Sequence, residues 1–340
     1  IRRFLIFFLI FLFFNNQSFA EELSEELLTT DHYISYDLQN ESILFSKNKN
    51  EKIYPASLTK LMTGIVLLDK YNFNDYITTR YPENYEYEGK VAYIPENIDI
   101  SVENLLELLL VYSANDAAYI AALAVSENLE SFITLMNNKA KVFGMDNTNF
   151  KNPDGIDEEN HYTTLNDLLK LSIKASENIE IISLVSKKNF VSNISGGEKV
   201  YNNTNLIIDD GFIGLKTGWT DKAGLTFVGL NQSNDRNIIT IVNKSYVDEK
   251  KYSHFSDTKL LYLTSIETFD KFNILNENTD LYNIRNSNNT ITIKNKSIWS
   301  EFINLAKKEN LTLSGFKDKK LSYSYMNYSK DFNIQESDYK

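Results

Sequence analysis

Apolar and polar positions along the chain follow two different periods, with strand-like alternation on both sides of a helical middle. Tyr33–Leu38 alternates as a strand does, a turn-like stretch follows, and Ile43–Phe45 begins a second strand, which together predict a β-hairpin. After Pro55, apolar residues recur at helical spacing and leave little polarity on the other side. A helix that is apolar nearly all round is a buried one, so this segment is predicted to lie in the core.

More helices are predicted downstream, over residues 101–125, 129–143 and 164–175. From Gly211 the apolar period changes to two. Three short apolar runs with turn residues between them predict an antiparallel meander: Phe212–Leu215, Leu225–Leu230 and Ile238–Val242. On this prediction Lys216–Gly218 ends a strand. An antiparallel sheet with helices packed on it is the α+β arrangement, which is the predicted fold class.

The composition of its ends divides the chain into three predicted parts: a signal peptide over residues 1–20, a main domain over residues 21–268 and a small β-rich C-terminal domain over residues 269–340. At the N-terminus, two arginines precede the apolar run Phe4–Phe14, and Ser18–Ala20 offers small residues. This order is typical of a secretory signal peptide, and the run is shorter than the roughly 20 residues that span a membrane. We therefore expect export to the periplasm or the extracytoplasmic face of the cell envelope.

Composition excludes several kinds of chemistry. The formal net charge is −11, so the Lys- and Arg-rich surface that nucleic-acid phosphates require is not expected. The chain has no cysteine and only three histidines, His32, His161 and His254. Thiol nucleophiles, disulfides and cysteine-ligated zinc are excluded, and no metal or other cofactor is expected. A nucleophile in this chain must be a hydroxyl, a carboxylate or an amine.

The tetrapeptide Ser57-Leu58-Thr59-Lys60 opens the buried helix and can bring a nucleophile and a base together. Residues i and i+3 share a helix face, so the Ser57 hydroxyl and the Lys60 amine can meet. A serine is a weak nucleophile until a neighbouring base takes its proton, and a lysine can be that base where burial lowers its pKa. The helix N-terminus also directs backbone N–H groups toward an oxyanion formed nearby.

Alone, this match is weak, because Ser-x-x-Lys occurs at four serines: Ser46, Ser57, Ser256 and Ser314. Context discriminates between them, since of these four only Ser57 opens a buried helix. Further along, Ser113-Ala114-Asn115 places polar atoms inside an apolar helical region, and Lys216-Thr217-Gly218 occurs once.

These three motifs, in this order, resemble those of the penicillin-recognising serine enzymes. Four longer segments are similar to the low-molecular-mass serine D-alanyl-D-alanine carboxypeptidases of peptidase family S11: Tyr54–Thr63, Tyr112–Ala118, Asn152–Gly155 with His161–Thr164, and Gly214–Thr220 with Ala223–Gly224. The resemblance covers residues 30–268. It implies a β-lactamase/transpeptidase-like fold, an antiparallel sheet flanked by helices, with a small β-rich C-terminal domain.

The sequence departs from the family's pattern at two places near the motifs. Ala114 stands where the middle motif usually has Gly, and Leu225 and Thr226 stand where an aromatic residue and Cys are frequent. Neither change puts the chemistry in doubt. The family commonly ends in a β domain and an amphipathic membrane-anchoring helix, but residues 323–340 show no basic amphipathic stripe. Anchoring through that segment is not predicted, although peripheral membrane association stays open.

The resemblance implies a catalytic role for four residues. Ser57 attacks the carbonyl between the two D-alanines and forms an acyl ester, and Lys60 accepts its proton. Ser113 relays a proton to the leaving amine, while Asn115 hydrogen-bonds the substrate amide and holds Lys60. His161, in contrast, is expected to order the loop that follows Asn152 rather than to transfer protons.

The resemblance also implies how the substrate binds. The partners are peptidoglycan stem peptides that end in D-Ala-D-Ala, and β-lactams as inhibitors. Lys216 and Thr217 bind the terminal carboxylate, and Gly218 leaves room for the substrate backbone. The backbone N–H groups of Ser57 and Trp219 form the oxyanion hole.

Three other functions stay open from sequence. A DD-endopeptidase, which cleaves cross-links, shares all the motifs. A class A β-lactamase needs a Glu on a loop before the third motif to activate the deacylating water, and residues 140–200 contain no Glu-x-x-Leu-Asn. An inactive peptidoglycan-binding protein would not need the intact pair of Ser57 and Lys60. The group that activates the deacylating water is not assigned.

Overall fold

The computed structural model describes residues 27–275, except residues 195, 234, 235, 248, 250 and 251, and the backbone of six strands beyond them. The predicted signal peptide lies outside the described residues. Leu23–Ile266 forms one compact unit, and the strands after it belong to a second. The first unit carries all the motif residues.

A five-stranded antiparallel sheet lies at the centre of the first unit, in the order β2-β1-β9-β8-β7. Its strands are β1 (His32–Asp37), β2 (Ser42–Lys47), β7 (Lys216–Thr220), β8 (Gly224–Ser233) and β9 (Arg236–Ser245). The predicted hairpin of β1 and β2 is confirmed. Because β1 pairs with β9, the sheet is complete only when both ends of the unit are in place.

The helices of the first unit are α1 (Thr59–Leu68), α2 (Val102–Leu106), α3 (Asn115–Val125), α4 (Leu129–Val142), α5 (Leu165–Ser176), α6 (Ile179–Val185) and α7 (Ser253–Thr268). Four of them begin at a polar residue whose side chain accepts a backbone N–H three residues further on: Ser101, Asn128, Thr164 and Asn178. Such N-caps satisfy donors that a helix start leaves unpaired. A π-helical turn, Glu107–Tyr112, continues α2.

Successive residues of the central strands point to opposite faces of the sheet, and both faces are buried. On β1, Ile34 joins the apolar core that contains α1, whereas Tyr33 joins a second cluster with Phe255 and Leu261 of α7. Residues 59–67 of α1 are all buried, which confirms the prediction of a core helix. Burial on both faces explains why β8 and β9 contain short continuous apolar runs.

The first strand of the meander differs from the expectation. Phe212–Leu215 is not that strand, and Lys216–Gly218 begins β7 instead of ending a strand. Gly214 has φ +49°, a left-handed conformation that interrupts regular pairing, although Leu215 still donates a backbone hydrogen bond to Val228. The third motif consequently occupies the edge strand of the sheet.

Several smaller elements were not predicted from the pattern. They are α6, the pair β3 (Tyr76–Thr78) with β4 (Asp99–Ser101), and the pair β5 (Asn189–Ser192) with β6 (Lys199–Asn202). The predicted helical region 101–125 is divided at Ser113, at the predicted polar interruption. None of the helices among the described residues is long and apolar enough to cross a membrane.

The second unit is rich in strands. β10 (Phe269–Leu275) pairs with β13 (Trp299–Asn304), β11 (Asn283–Asn286) pairs with β12 (Asn289–Thr292), and a three-stranded sheet contains β14 (Thr312–Lys317), β15 (Lys320–Tyr325) and β16 (Tyr328–Asn333). The domain boundary after residue 268 stays a prediction.

Candidate active site

The three motifs meet in one cleft of about 800 Å³. Ser57 comes from the turn before α1, Ser113 and Asn115 come from the break before α3, and the segment 217–219 comes from β7. The two motif lysines lie beneath these residues, with at most 2% of their surface exposed. Three segments that are distant in sequence therefore supply one site.

Ser57 is held at the start of α1 by a short 3-10 turn, Ala56–Leu58. One turn further, Nζ of Lys60 donates hydrogen bonds to Oγ of Ser57 at 2.9 Å, to Oδ1 of Asn115 at 2.6 Å and to the backbone oxygen of Asp154 at 2.7 Å. These acceptors use all three protons of an ammonium group. The amine is thereby fixed against the serine hydroxyl, as the i, i+3 spacing predicts.

Burial lowers the pKa of Lys60 to about 8, and the positive charge of Lys90 acts in the same direction. The carboxylates of Asp154 and Asp116 oppose this shift. A lysine with this pKa is neutral in an appreciable fraction of molecules near pH 7, whereas one with the ordinary pKa is not. The amine can therefore accept the proton of the serine that it contacts.

Ser113 lies where the chain turns between the π-helical turn and α3. Its φ of 71° lies in the left-handed region, which is uncommon for a residue other than glycine, and its Oγ accepts a hydrogen bond from Nζ of Lys216 at 2.7 Å. Asn115 accepts from Lys60 through Oδ1 and donates through Nδ2 to the backbone oxygen of Glu88 at 2.8 Å. Each polar residue of the second motif is thus linked to one motif lysine.

Lys216 and Thr217 begin the edge strand β7. Nζ of Lys216 also donates to the backbone oxygen of Thr217 at 3.0 Å, and Oγ1 of Thr217 donates to Oγ1 of Thr204 at 2.7 Å. Burial lowers the pKa of Lys216 well below its ordinary value, and repulsion by Lys60 and Lys90 adds to the shift. Lys216 thus donates one hydrogen bond to Ser113 and one to the backbone of Thr217. Since an ammonium group has three protons, a charged Lys216 keeps the third for an anion in the cleft.

Two glycines let neighbouring backbone segments pack against the turn that carries Ser57. Gly155 has φ +94°, and a Cβ there would lie 1.9 Å from the backbone oxygen of Ala56. A Cβ on Gly218 would lie 3.0 Å from Cβ of Ala56 and 3.1 Å from the backbone nitrogen of Ser57. The expected role of Gly218 toward the substrate stays a prediction, and the structure shows that this glycine leaves room for the turn that carries Ser57.

Residues 81–93 form a further wall of the site without regular secondary structure, and residues 88–90 of this loop line the cleft. The carboxylate of Asp116 in α3 holds the loop, because it accepts the backbone N–H groups of Ala92 at 2.9 Å and of Ile94 at 3.0 Å. The helix that presents Asn115 therefore also positions this wall.

His161 is buried and does not line the cleft. Its Nε2 lies 3.1 Å from Oγ1 of Thr59 in α1, and burial lowers its pKa to about 4, so the imidazole is neutral at pH 7. This position ties the loop that contains Asn152 to α1, in agreement with the expected ordering role.

The eight site residues predicted from the motifs lie in the cleft or directly beneath it: Ser57, Lys60, Ser113, Asn115, Lys216, Thr217, Gly218 and Trp219. Their individual roles stay predictions. Sequence reasoning did not name Thr204, Lys90 or Asp154 as site residues. Asp154 belongs to a segment that carried the resemblance, but no pattern marks Thr204 or the loop around Lys90.

Two other serines that begin a Ser-x-x-Lys match lie in the first unit, outside the cleft. Ser46 lies on β2 and Ser256 on α7, and neither lines the cleft. Within the described part of the chain, no three histidine, aspartate or glutamate side chains are grouped so that they could hold a metal ion.

A profile of the Peptidase S11 family, described as D-alanyl-D-alanine carboxypeptidase, matches residues 19–245. The chain belongs to this family. The family predicted from the motifs is therefore confirmed, over a stretch that contains all eight site residues of this S11 protein.

Curated relatives carry two names. The S11 chain is 31% identical over 227 residues to D-alanyl-D-alanine carboxypeptidase DacA of Haemophilus influenzae, a match that covers 63% of this chain and 57% of that protein. With DacF of Bacillus subtilis it shares 29% identity, over 59% of this chain and 53% of the relative. The chain thus spans little more than half the length of these carboxypeptidases. The D-alanyl-D-alanine endopeptidase of Escherichia coli is 32% identical, over 73% of this chain and 81% of that protein.

Solved structures confirm the predicted α+β fold. Penicillin-binding protein D2 from Listeria monocytogenes, in a cefotaxime-bound form, shares 28% identity with a TM-score of 0.61, over 70% of this chain and 97% of that chain. The D-alanyl-D-alanine carboxypeptidase DacD from Francisella tularensis has a TM-score of 0.74 at 21% identity, over 90% of this chain and 91% of that chain.

Proposed function

We propose that this chain is a serine-type D-alanyl-D-alanine carboxypeptidase, which removes the terminal D-Ala from peptidoglycan stem peptides through an acyl ester on Ser57. The observation that carries the proposal is the buried amine of Lys60, 2.9 Å from the Ser57 hydroxyl in an open cleft. Membership of the S11 family supplies the substrate class.

In the proposed acylation, Lys60 takes the proton of Ser57 while Oγ attacks the carbonyl carbon between the two D-alanines. The backbone N–H groups of Ser57 and Trp219 stabilise the oxyanion, and each such donor contributes roughly 3 kcal/mol in the transition state. When the C–N bond breaks, the leaving nitrogen takes the hydroxyl proton of Ser113, which Lys216 replaces across their 2.7 Å hydrogen bond. The products are free D-Ala, an ester on Ser57, a protonated Lys60 and a neutral Lys216.

The carboxylate of the terminal D-Ala is the group that Lys216 and Thr217 recognise in this proposal. Both residues stand at the start of the edge strand: Thr217 lines the cleft, and a protonated Lys216 keeps one proton beyond those that it donates to Ser113 and to the backbone of Thr217. Hydrogen bonds from a cation to a carboxylate are among the strong ones. β-Lactams, which also carry a carboxylate, are the proposed inhibitors, and a relative of known structure binds one.

We also propose where the enzyme acts. Residues 1–20 have the composition of a signal peptide, and the proposed substrate is part of the cell wall. Both point to the periplasm or the extracytoplasmic face of the envelope. A fusion of residues 1–30 to a reporter that folds only after export tests this proposal, and retention of that reporter in the cytoplasm contradicts it.

Cleavage of cross-links between stem peptides is a second candidate activity. Relatives that align over 81% and 86% of their own length are named D-alanyl-D-alanine endopeptidases. The bond that is broken is again an amide after D-Ala, so the same residues would serve. Mass analysis of products from a free pentapeptide and from a cross-linked muropeptide dimer separates the two activities, with release of free D-Ala from the pentapeptide expected.

Labelling with a fluorescent penicillin tests the proposed nucleophile. After digestion, the label is expected on the peptide that contains Ser57, and Ser57→Ala is expected to remove it. A label on Ser46, Ser256 or Ser314 instead would overturn the assignment. Rapid catalytic turnover of the penicillin, without a persistent label, would indicate a β-lactamase.

A further inference from the structure

Asp154 is a buried carboxyl group in the cleft, and the acylation steps give it no role. It is 2% exposed, and it lines the cleft together with Ser57. Its backbone oxygen is one of the three acceptors that hold Nζ of Lys60. The residue therefore lies next to both partners of the reacting pair.

The turn that carries Asp154 is fixed on both sides. The Thr63 hydroxyl in α1 donates to the backbone oxygen of Pro153 at 2.6 Å, and the backbone N–H of Gly155 donates to Oδ1 of Asn152 at 2.8 Å. Gly155 in turn packs directly against the turn before α1. The carboxylate is consequently presented from a rigid segment.

Among the described residues, only backbone N–H groups, its own and that of Ile156 at 3.4 Å, hydrogen-bond the Asp154 carboxylate. Burial raises the pKa of Asp154, and the nearby charge of Lys60 partly opposes the shift. A buried carboxylate with few donors is a stronger base than one in water.

The other carboxylates that line the cleft are less suited to accept a proton from a bound water. Glu88 and Asp221 are exposed. Asp157 uses both oxygens to hold the β7–β8 hairpin, since Oδ1 accepts from Oγ1 of Thr220 at 2.7 Å and Oδ2 accepts from the backbone N–H of Lys222 at 3.1 Å.

The second half of the reaction needs a base that is not Lys60. After acylation Lys60 holds the proton that came from Ser57, so it is an acid at the moment when water must be deprotonated. The same proton is required by Oγ of Ser57 when the ester bond breaks. Because the pair acts as donor in this step, a separate acceptor is required beside it. Lys216, which acylation leaves neutral, is buried and does not line the cleft, so it is less suited to contact a water there.

We propose that the Asp154 carboxylate is the base that activates the water for hydrolysis of the acyl-enzyme. The water oxygen bonds to the acyl carbon while one water proton passes to Asp154. The bond between that carbon and Oγ then breaks, and Lys60 returns its proton to Ser57. The proton on Asp154 then passes through solvent to Lys216, which lost its own proton to the leaving amine through Ser113, and this transfer restores both groups. This inference rests on the proposed acyl-serine mechanism.

Separate measurements of acylation and deacylation in Asp154→Asn test the inference. Asparagine keeps the size of the side chain and the backbone acceptor for Lys60, but it cannot take up the proton. Glu159→Gln, an exposed charge in the same loop, is the matched control. Each protein is mixed with a D-Ala-D-Ala peptide, quenched in acid, and analysed by intact mass for the acyl ester and for released D-Ala.

Asp154→Asn is expected to release D-Ala in a burst of one equivalent, to accumulate the acyl ester, and to turn over ~100- to 10,000-fold more slowly, the usual contribution of a general base. Its acylation should not slow, since Asp154 raises the pKa of Lys60 and its loss favours the neutral amine. Glu159→Gln should resemble the wild type.

Two outcomes would overturn the inference. Unchanged deacylation in Asp154→Asn would show that another group activates the water, and equal slowing of both steps would show that Asp154 acts through Lys60. Failure of the wild-type protein to take up penicillin on Ser57 is a different result, because it would remove the proposed function itself.

Discussion

Nζ of Lys216 donates a hydrogen bond to Oγ of Ser113 at 2.7 Å. The residue expected to bind the substrate's carboxylate is thus in direct contact with the residue expected to protonate the leaving group. A substrate that brings its carboxylate to Lys216 also stabilises the charged form of that lysine, whose pKa is otherwise depressed. Lys216 therefore couples recognition of the substrate's terminal carboxylate to protonation of the leaving amine.

Lys216→Ala should lower kcat/KM for a peptide acid ending in D-Ala-D-Ala by roughly 10- to 100-fold, because hydrogen bonds to charged groups contribute about 1.5–3 kcal/mol. Turnover of the corresponding C-terminal amide, which lacks the charge, should fall less, because it loses only the proton transfer through Ser113. Steady-state kinetics on the two peptides measure the difference. Equal losses on acid and amide would show that Lys216 serves proton transfer through Ser113 rather than carboxylate binding.

Lys60→Ala should lower the rate of acylation by penicillin ~100- to 10,000-fold, because the variant lacks the amine that contacts the Ser57 hydroxyl. Stopped-flow labelling measures the rate. Thermal unfolding of the same sample provides the control, since the buried acceptors on Asn115 and Asp154 lose their donor. A folded variant that acylates at the wild-type rate at neutral pH would mean that another base serves.

Acylation should speed up as the pH rises through about 8, because the reactive form of Lys60 is the neutral amine and burial places its pKa there. Lys90 repels the charge on Lys60, whereas Asp154 and Asp116 favour it. Lys90→Gln should therefore raise the pKa of Lys60 and shift the increase in acylation rate to higher pH. Labelling rates from pH 6 to 9.5 check both statements. If the rate rises over the same pH range in Lys90→Gln as in the wild type, Lys90 does not act on Lys60.

Much of this site was predictable because its parts are local. The contact between Ser57 and Lys60 follows from i, i+3 spacing on one helix, and the break at Ser113 follows from polar residues inside an apolar run. The start of β7 at Lys216 was not predictable, because the left-handed conformation of Gly214, which interrupts the pairing before it, depends on contacts with other segments. A Cβ at that glycine would lie 2.5 Å from Nδ2 of Asn205, nine residues earlier in the chain.

The walls of the cleft were beyond prediction for the same reason. The loop at residues 88–90 has no periodicity of its own and is placed by Asp116 of α3. Thr204 belongs to the site because of its hydrogen bond with Thr217, and no spacing of residues along the sequence predicts that contact. Such positions depend on which segments meet in three dimensions, and the pattern of one segment does not contain that information.

Gly155→Ala should destabilise the protein more than the addition of one methyl group usually does. The added Cβ would lie 1.9 Å from the backbone oxygen of Ala56, so the loop or the turn that carries Ser57 must move. Gly196→Ala is the matched control, since Gly196 also has a positive φ, +84°, but a Cβ there meets nothing within 4 Å. Both changes incur the backbone cost of a positive φ.

Urea unfolding should show Gly155→Ala to be less stable than Gly196→Ala by roughly 1–3 kcal/mol, the usual cost of overpacking. Penicillin labelling should also slow in Gly155→Ala alone. Equal stability of the two variants would mean that the contact with Ala56 relaxes at little cost.

The amine of Lys60 is held by oxygens from three places in the chain, residues 57, 115 and 154. While the chain is still unfolded, that lysine is in water and keeps its ordinary pKa, so Ser57 is as inert as any other serine. Covalent capture of a β-lactam thus becomes possible only when all three segments have docked. Uptake of a fluorescent penicillin during refolding would consequently report when these three segments have come together, even in a crude mixture where spectroscopic signals of folding are lost.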